Sequence, residues 1–454
     1  MENALKLPLT VLQTAGIIPF AVSRTSKPAK PAVYASRCFY FTLMVSSLAQ
    51  VGFRSAIAVA KSIDSAPING ANSTLQIREP TLIDVLIDAV DIFQALRGPA
   101  VLLIFLIHSR HIHDFLQDFI AAVRTVFRDD RNLLEALSKR WCRSTFACVL
   151  LTFAVLTFWE ATSWYFTYGP YGIKYTSNSR SFLFIGIEIR IWACILWWLL
   201  SVTISYFLSQ MLCVIVFVAG NMMADALAKL NRTLQEQIRN VERGDSSRKV
   251  VAGSLKAVEF ILPGYHGLHT VAGTANQLLG GVFCVAYTFD VLSVVCYIAA
   301  LLNSDLASRN ATVHLSCDIL GILIFGSYTC CFVIPWVVVS ERSQEFLSNI
   351  SLLANGLAHR EGAPDKATEV MAERTENMLA AFQAGGSRMT IDFSGYGILR
   401  ASRGQVLTTF TALISLGLVA HNLFRQPDTT DCDLAELADV CNKTLAIVKF
   451  AASQ

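Results

Sequence analysis

The sequence predicts an all-α polytopic membrane protein: seven transmembrane helices, a cytosolic N-terminus, an extracellular C-terminus, and cytosolic helical extensions that form an anchor. Three observations carry that prediction. Of 454 residues, 54% are apolar and 16% charged, a balance outside the range of soluble globular chains. Seven apolar runs are long enough to span a bilayer, and Lys and Arg concentrate in alternate connections between those runs. The formal net charge is +3 and the cations are dispersed among loops, which argues against a nucleic-acid partner.

The N-terminal segment, residues 1–37, lacks the basic flank, unbroken apolar core and small-residue cleavage site of a signal peptide, and Pro8 and Pro19 interrupt it. It reads as a retained cytosolic segment. A span needs roughly 20 mainly apolar residues to cross about 30 Å of hydrocarbon. Residues 38–60, 82–108, 141–165, 182–220, 270–302, 315–340 and 404–424 qualify. The fourth is long enough for two passes, but residues 187–219 contain no Gly, Pro or polar cluster to turn the chain. It is therefore expected to be one helix that continues past the membrane. Spans one to six, residues 38–340, form the bundle, with inner helical extensions near 109–140 and 221–265. Residues 341–403 supply an anchor helix and a linker, and 425–454 an extracellular tail.

Direction follows from the charges, because cytosolic loops retain Lys and Arg. The N-terminal segment and the second, fourth and sixth connections hold 25 of them, the opposite side 8. The sequons at Asn72, Asn310 and Asn442 fall on the predicted outside, where they can be glycosylated, and those at Asn231 and Asn349 fall inside. Ten of the twelve Cys lie in or beside apolar runs and act as small hydrophobes; Cys432 and Cys441 lie in the polar tail. These two are a candidate disulfide if the tail is irregular. If "DLAELADVCNKTLAIVKF" forms a continuous helix, their Cα atoms stand about 13 Å apart, too far to bridge.

Charges inside a membrane are costly and mark function or pairing. Asp84, Asp88, Asp91, Glu160, Glu188 and Asp318 fall in the outer parts of their spans, and Asp290 lies deeper in the fifth. Trp159, Trp164, Phe184, Trp192 and Tyr297 share that half. Aromatic walls with a few polar anchors suit a small-molecule pocket. Asp88, Asp91, Trp159, Glu160, Trp164, Phe184, Glu188, Trp192 and Tyr297 are accordingly the candidate ligand residues, for a polyhydroxylated or a cationic compound. The competing reading is an interfacial aromatic belt, with Arg54, Arg97 and Arg190 neutralising the acids. "HSRHIH" (residues 108–113) has no nearby Cys and no metalloprotease spacing, so no metal site is expected. No nucleophile and base are placed for catalysis, so the chain does not read as an enzyme, and no cofactor is expected.

In the anchor segment, Val370, Met371, Met378, Leu379 and Phe382 recur at helical spacing, which predicts an amphipathic helix. In the seventh span, Gly404, Thr408, Thr411, Ser415, Val419 and Asn422 share one narrow face. Such a face either packs closely against another helix or, with an apolar ring at Leu418 or Val419, lines a pore.

Several stretches resemble one family: "GIIPF" (16–20) before the first span, "ANQLLGGVF" (275–283) in the fifth, and "IDFSGYGILRASRGQVLTTF" (391–410) entering the seventh. With seven spans and an internal N-terminus, the chain resembles the arthropod gustatory receptors, relatives of the insect odorant receptors. It departs from their last-helix pattern of Thr-Tyr, five apolar residues and Gln-Phe, reading "ISLGLVAHN" (414–422) instead. The resemblance implies a ligand-gated, nonselective cation channel in the plasma membrane. It also implies a homotetramer or a heterotetramer with related subunits, opened by a small-molecule tastant. Thr408, Thr411, Ser415, Leu418, Val419 and Asn422 would then line the pore, and residues 387–403 would couple ligand to pore. A secondary transporter is the alternative, although no paired halves are evident. A G-protein-coupled receptor has the reverse orientation.

Overall fold

The computed structural model describes residues 2–15, 17, 30–64, 82–108, 111–168, 181–184, 187–190, 196–243, 248–302, 311–358, 366–385, 389–395, 397, 399–409, 411, 412 and 415. Nearly all are helical. The helices are α1 (Glu2–Thr14), α2 (Lys30–Asp64), α3 (Leu82–His108), α4 (Ile112–Val126), α5 (Arg131–Tyr168), α6 (Ile204–Glu242), α7 (Arg248–Leu302), α8 (Ala311–Ala358) and α9 (Lys366–Ala384). Two short antiparallel hairpins pair β1 (Ser181–Phe184) with β2 (Ile187–Arg190) and β3 (Ser394–Gly395) with β4 (Leu399–Arg400). A terminal helix follows over residues 403–409, with 411, 412 and 415 also helical.

Five helices among the described residues are long and apolar enough to cross a membrane: stretches of α3, α5, α7 and α8, and α6 together with the residues that lead into it. α7 has 55 residues, about 82 Å at 1.5 Å per residue, so it projects far beyond a bilayer core. Its first turns, with α4 and α9 packed on them, form the base of the bundle. α8 likewise runs on to Ala358, so residues 341–358 prolong a spanning helix.

The expected single helix over 182–220 is corrected. Residues 181–184 and 187–190 form a hairpin in which Phe182 faces Ile189 and Leu183 faces Glu188. A π-helical turn at Leu199–Thr203 then opens α6. The stretch "SFLFIGIEIR" carries β-branched and aromatic residues on both sides of Gly186, which favours paired strands. A short apolar run does not distinguish strand from buried helix by periodicity. Among the described residues the fold is therefore nearly all-helical, with two short hairpins.

α6 is the centre of the core: residues from Ser205 to Leu234 are buried on almost every face. α8, α7, α3, α5 and α1 pack around it. By contrast α5 exposes Phe146, Leu150, Leu151, Phe153 and Phe158, an apolar outer surface of the kind that lipid or another subunit covers. At the base, α4 buries Ile112, Phe115, Leu116, Phe119, Val123 and Val126 at helical spacing. Asp130 then caps α5, its carboxylate accepting the Leu133 N–H at 3.2 Å and Lys229 Nζ at 3.0 Å. Both contacts favour the ionised form and hold the carboxyl below its ordinary range, the Lys229 bond most. Asn231 and Asn349, the sequons read as internal, are buried.

Candidate functional site

Toward the end of the bundle opposite the base, four helices contribute rings to one cluster. Trp159 of α5 meets Tyr297 of α7 edge-on at 5.8 Å and Phe325 of α8 at 6.2 Å. Tyr297 stacks on Phe325 at 5.9 Å, and Tyr206 of α6 meets Phe325 edge-on at 6.3 Å. Val90 of α3, Leu156, Val294, Cys296, Ile324 and Tyr328 complete the cluster. Two of the sequence-predicted ligand residues, Trp159 and Tyr297, are thus brought into contact. Asp91 is half-buried on α3, beside Val90. Asp88 lies on α3, Glu160 and Trp164 on α5, Phe184 on β1 and Glu188 on β2, all with side chains outside the described residues, as is the whole of Trp192. Phe184 and Glu188 therefore stand on the hairpin and not on a fourth spanning helix. Tyr206, Phe325 and Tyr328 were not anticipated; the i, i+3 spacing of the last two on α8 is a signal that an apolar run hides.

Two turns along α7 from Tyr297, at Asp290, the bundle holds an ion pair. Arg97 Nε lies 2.8 Å from Asp290 Oδ1 and Nη2 donates to Oδ2 at 3.0 Å, and both side chains are 1% exposed. Arg97 Nη1 also donates to Ser209 Oγ at 2.7 Å, and the guanidinium lies 4.4 Å from the centre of the Tyr206 ring. Tyr206 donates to Asp290 at 3.4 Å. A buried charge is tolerated only when paired and hydrogen-bonded, and each formal charge here meets its opposite. The node therefore pins α3, α6 and α7 together with no net charge. It also touches the aromatic cluster through Tyr206.

Further toward the base, residues 389–395 are clasped between α7 and α8. Tyr265 donates to the Met389 carbonyl at 2.7 Å, and Ser343 Oγ accepts the Ile391 N–H at 2.8 Å. Asn276 donates to the Asp392 carbonyl at 2.7 Å and accepts the Ser394 N–H at 3.0 Å, while Ser340 donates to the Asp392 carboxylate at 2.7 Å. Phe393 stacks on Trp336 at 4.0 Å and meets Phe283 edge-on. Gly395 crosses α7 at Gly280: a Cβ on Gly395 would lie 2.5 Å from Cys284 Cβ and 2.8 Å from the Gly280 carbonyl. Gly397, at φ +72°, makes the turn between β3 and β4.

The clasp delivers the chain to the terminal helix, where Arg403 pairs with Glu341 of α8. One turn of α7 from Asp290, Tyr287 donates to Thr409 Oγ1 at 2.8 Å. A narrow apolar crevice of only about 10 Å³ lies here, lined by Tyr287, Val291, Thr329, Val333, Val406 and Thr409. Of the sequence-predicted pore face, Thr408, Thr411 and Ser415 are half-buried. The Thr411 hydroxyl donates to the Leu407 carbonyl and that of Ser415 to the Thr411 carbonyl, so each keeps lone pairs for another partner. Leu418, Val419 and Asn422, the sequons at Asn72, Asn310 and Asn442, and Cys432 and Cys441 all lie outside the described residues.

No protein-family model matches the chain, and no curated protein matches it. Among solved structures the chain is similar to the insect olfactory receptor OR5 from Machilis hrabei, with TM-score 0.55 and 10% identity over 93% of this chain and 97% of that one. The same receptor in complex with eugenol gives TM-score 0.56 and 9% identity, covering 92% and 97%. At such identities the likeness is one of fold, and it extends along almost the full length of both chains.

Proposed function

We propose that the chain is a gustatory-receptor-like chemoreceptor acting as a ligand-gated, nonselective cation channel in the plasma membrane. The observation that carries this reading is the near full-length fold shared with an insect olfactory receptor. A small-molecule tastant binds in the outer half of the bundle, against Trp159, Tyr297 and their neighbours; eugenol bound to OR5 supports a ligand of that size. The terminal helix lines a pore at the axis of a homotetramer, or of a heterotetramer with related subunits, with Thr408, Thr411 and Ser415 on the ion path and Leu418, Val419 and Asn422 beyond them. The base is cytosolic, which matches its share of the Lys and Arg, and the tail after residue 424 is extracellular.

α7 is the natural transmission element. It carries Tyr297 in the aromatic cluster, Asp290 in the ion pair, Tyr287 against the terminal helix and Asn276 in the clasp, in that order over about 32 Å. A ligand shifts an equilibrium only by its differential affinity for two states. Displacing Tyr297 moves one end of a rigid rod whose other contacts hold the pore helix.

The pore assignment is tested with Thr411→Cys in a background lacking other reactive thiols. A charged methanethiosulfonate reagent added while the channel is open should block at least half of the current. Currents indifferent to the reagent would place position 411 in a helix seam.

A further inference from the structure

α5 presents one continuous outward stripe. Lys139, Arg143, Phe146, Leu150 and Phe153 recur at alternating spacings of four and three residues, which puts them on one helix face. All five are exposed; the Lys139 side chain is 67% exposed and Phe146 61%. Within one turn, between Arg143 and Phe146, the stripe changes from cationic to apolar. On a spanning helix that change falls at the edge of the hydrocarbon.

Arg140 sits three residues before Arg143 and is a surface neighbour of it. It pairs with Asp225 of α6, and Trp141 Nε1 donates to the same carboxylate at 2.9 Å. Arg342 of α8 approaches Asp225 from another side, at 3.9 Å. Lys139 pairs with Glu135 on its own helix at 2.9 Å. Four cations, Lys139, Arg140, Arg143 and Arg342, thus meet two carboxylates, leaving a surplus of two positive charges at the head of an apolar stripe. The Arg140 side chain is held by Asp225 yet remains 58% exposed.

We propose that Arg140 and Arg143, with Lys139 beside them, seat the phosphorylated headgroup of an anionic phospholipid whose acyl chain lies along Phe146, Leu150 and Phe153. Guanidinium groups bind phosphate through paired N–H donors, and two of them one turn apart can engage one phosphate or two. A soluble polyphosphate would satisfy the same cations, but only a lipid also covers the apolar stripe that continues from them. The inference rests on the membrane placement given above and not on channel activity, so a chain that binds the lipid and passes no current leaves it standing.

The full chain, purified in neutral detergent, is titrated with phosphatidylinositol 4-phosphate and with phosphatidylcholine of matching acyl chains, and bound lipid is read by native mass spectrometry. The wild type should retain the phosphoinositide in preference. Each juxtamembrane cation contributes enough to change affinity about fivefold, so Arg143→Gln should lower the preference about fivefold and Arg140→Gln/Arg143→Gln about 25-fold. Both variants should fold, because Arg143 is exposed and Asp225 keeps Trp141 and Arg342. Arg374→Gln, on α9 and away from the stripe, should change nothing. An unchanged preference in the double variant overturns the site, and an equal loss with Arg374→Gln reduces it to net charge. Displacement by soluble inositol 1,4-bisphosphate at equal concentration would assign the cations to a soluble phosphate instead.

Discussion

Asp290→Leu should destabilise the bundle by about 3–5 kcal/mol, because it leaves the Arg97 guanidinium buried with no counter-charge. Arg97→Met should do nearly the same to the carboxylate. The double variant Arg97→Met/Asp290→Leu should recover most of the loss, since replacing a whole buried pair with apolar groups of similar volume is often neutral or better. The prediction follows from burial: both side chains are 1% exposed and the pair is bidentate, so neither partner has water to turn to. Ser209 and Tyr206 remain to solvate a lone guanidinium, but each is a neutral partner. Midpoints of thermal aggregation for the purified single and double variants form a double-mutant cycle. A double variant as unstable as either single would show that the node acts through packing and not through charge.

Gly395→Ala should be nearly as damaging, by a different route. The new Cβ meets Cys284 Cβ at 2.5 Å and the Gly280 carbonyl at 2.8 Å, and part of that surface is backbone of a long helix. Overpacking of this kind costs ~1–3 kcal/mol, and the upper part of the range is expected where backbone must shift. The strand would be pushed off α7, the bonds from Asn276 to Asp392 and Ser394 would lengthen, and the terminal helix would lose its fixed starting point. Ligand-evoked current should fall at least tenfold even where protein reaches the membrane. Gly397→Asn is the matched control: a Cβ there meets nothing within 4 Å, and Asn tolerates the left-handed conformation. Equal losses at both positions would mean that the hairpin is merely intolerant of substitution.

Much of the architecture is legible in the sequence because a bilayer imposes length and hydropathy on every span. The runs at 82–108, 270–302 and 315–340 correspond to α3 and to parts of α7 and α8. The run at 182–220 reads as one helix because the strands of a hairpin and the start of a helix follow one another with no Gly or Pro between Ile187 and Ala219, and the one turn residue, Gly186, lies near its beginning. Within the site, Arg97 and Asp290 are conspicuous as intramembrane charges, but that they pair with each other across 193 positions depends on helix packing. Trp159 and Tyr297 share a compartment because both fall toward the same end of the bundle. Tyr206, Phe325 and Tyr328 are invisible for the converse reason: inside an apolar helix nothing local separates a ring facing a neighbour from one facing lipid. The clasp is the least legible part. Residues 389–395 have neither helical nor strand period, and their order comes from side chains such as Trp336, Asn276 and Tyr265 on distant helices.

The most direct measurement of the central claim is current through the purified chain reconstituted alone in planar bilayers, with sugars, amines and bitter compounds applied in turn. A compound that raises the thermal midpoint of the purified protein identifies itself as a ligand. The channel reading predicts that such a compound evokes cation current with no nucleotide present, from the chain alone if it forms a homotetramer and with a related subunit added if it forms a heterotetramer. A ligand that stabilises the chain yet evokes no current in bilayers shown to contain it, alone or with related subunits, or that evokes current only with GTP and a G protein, would contradict the reading.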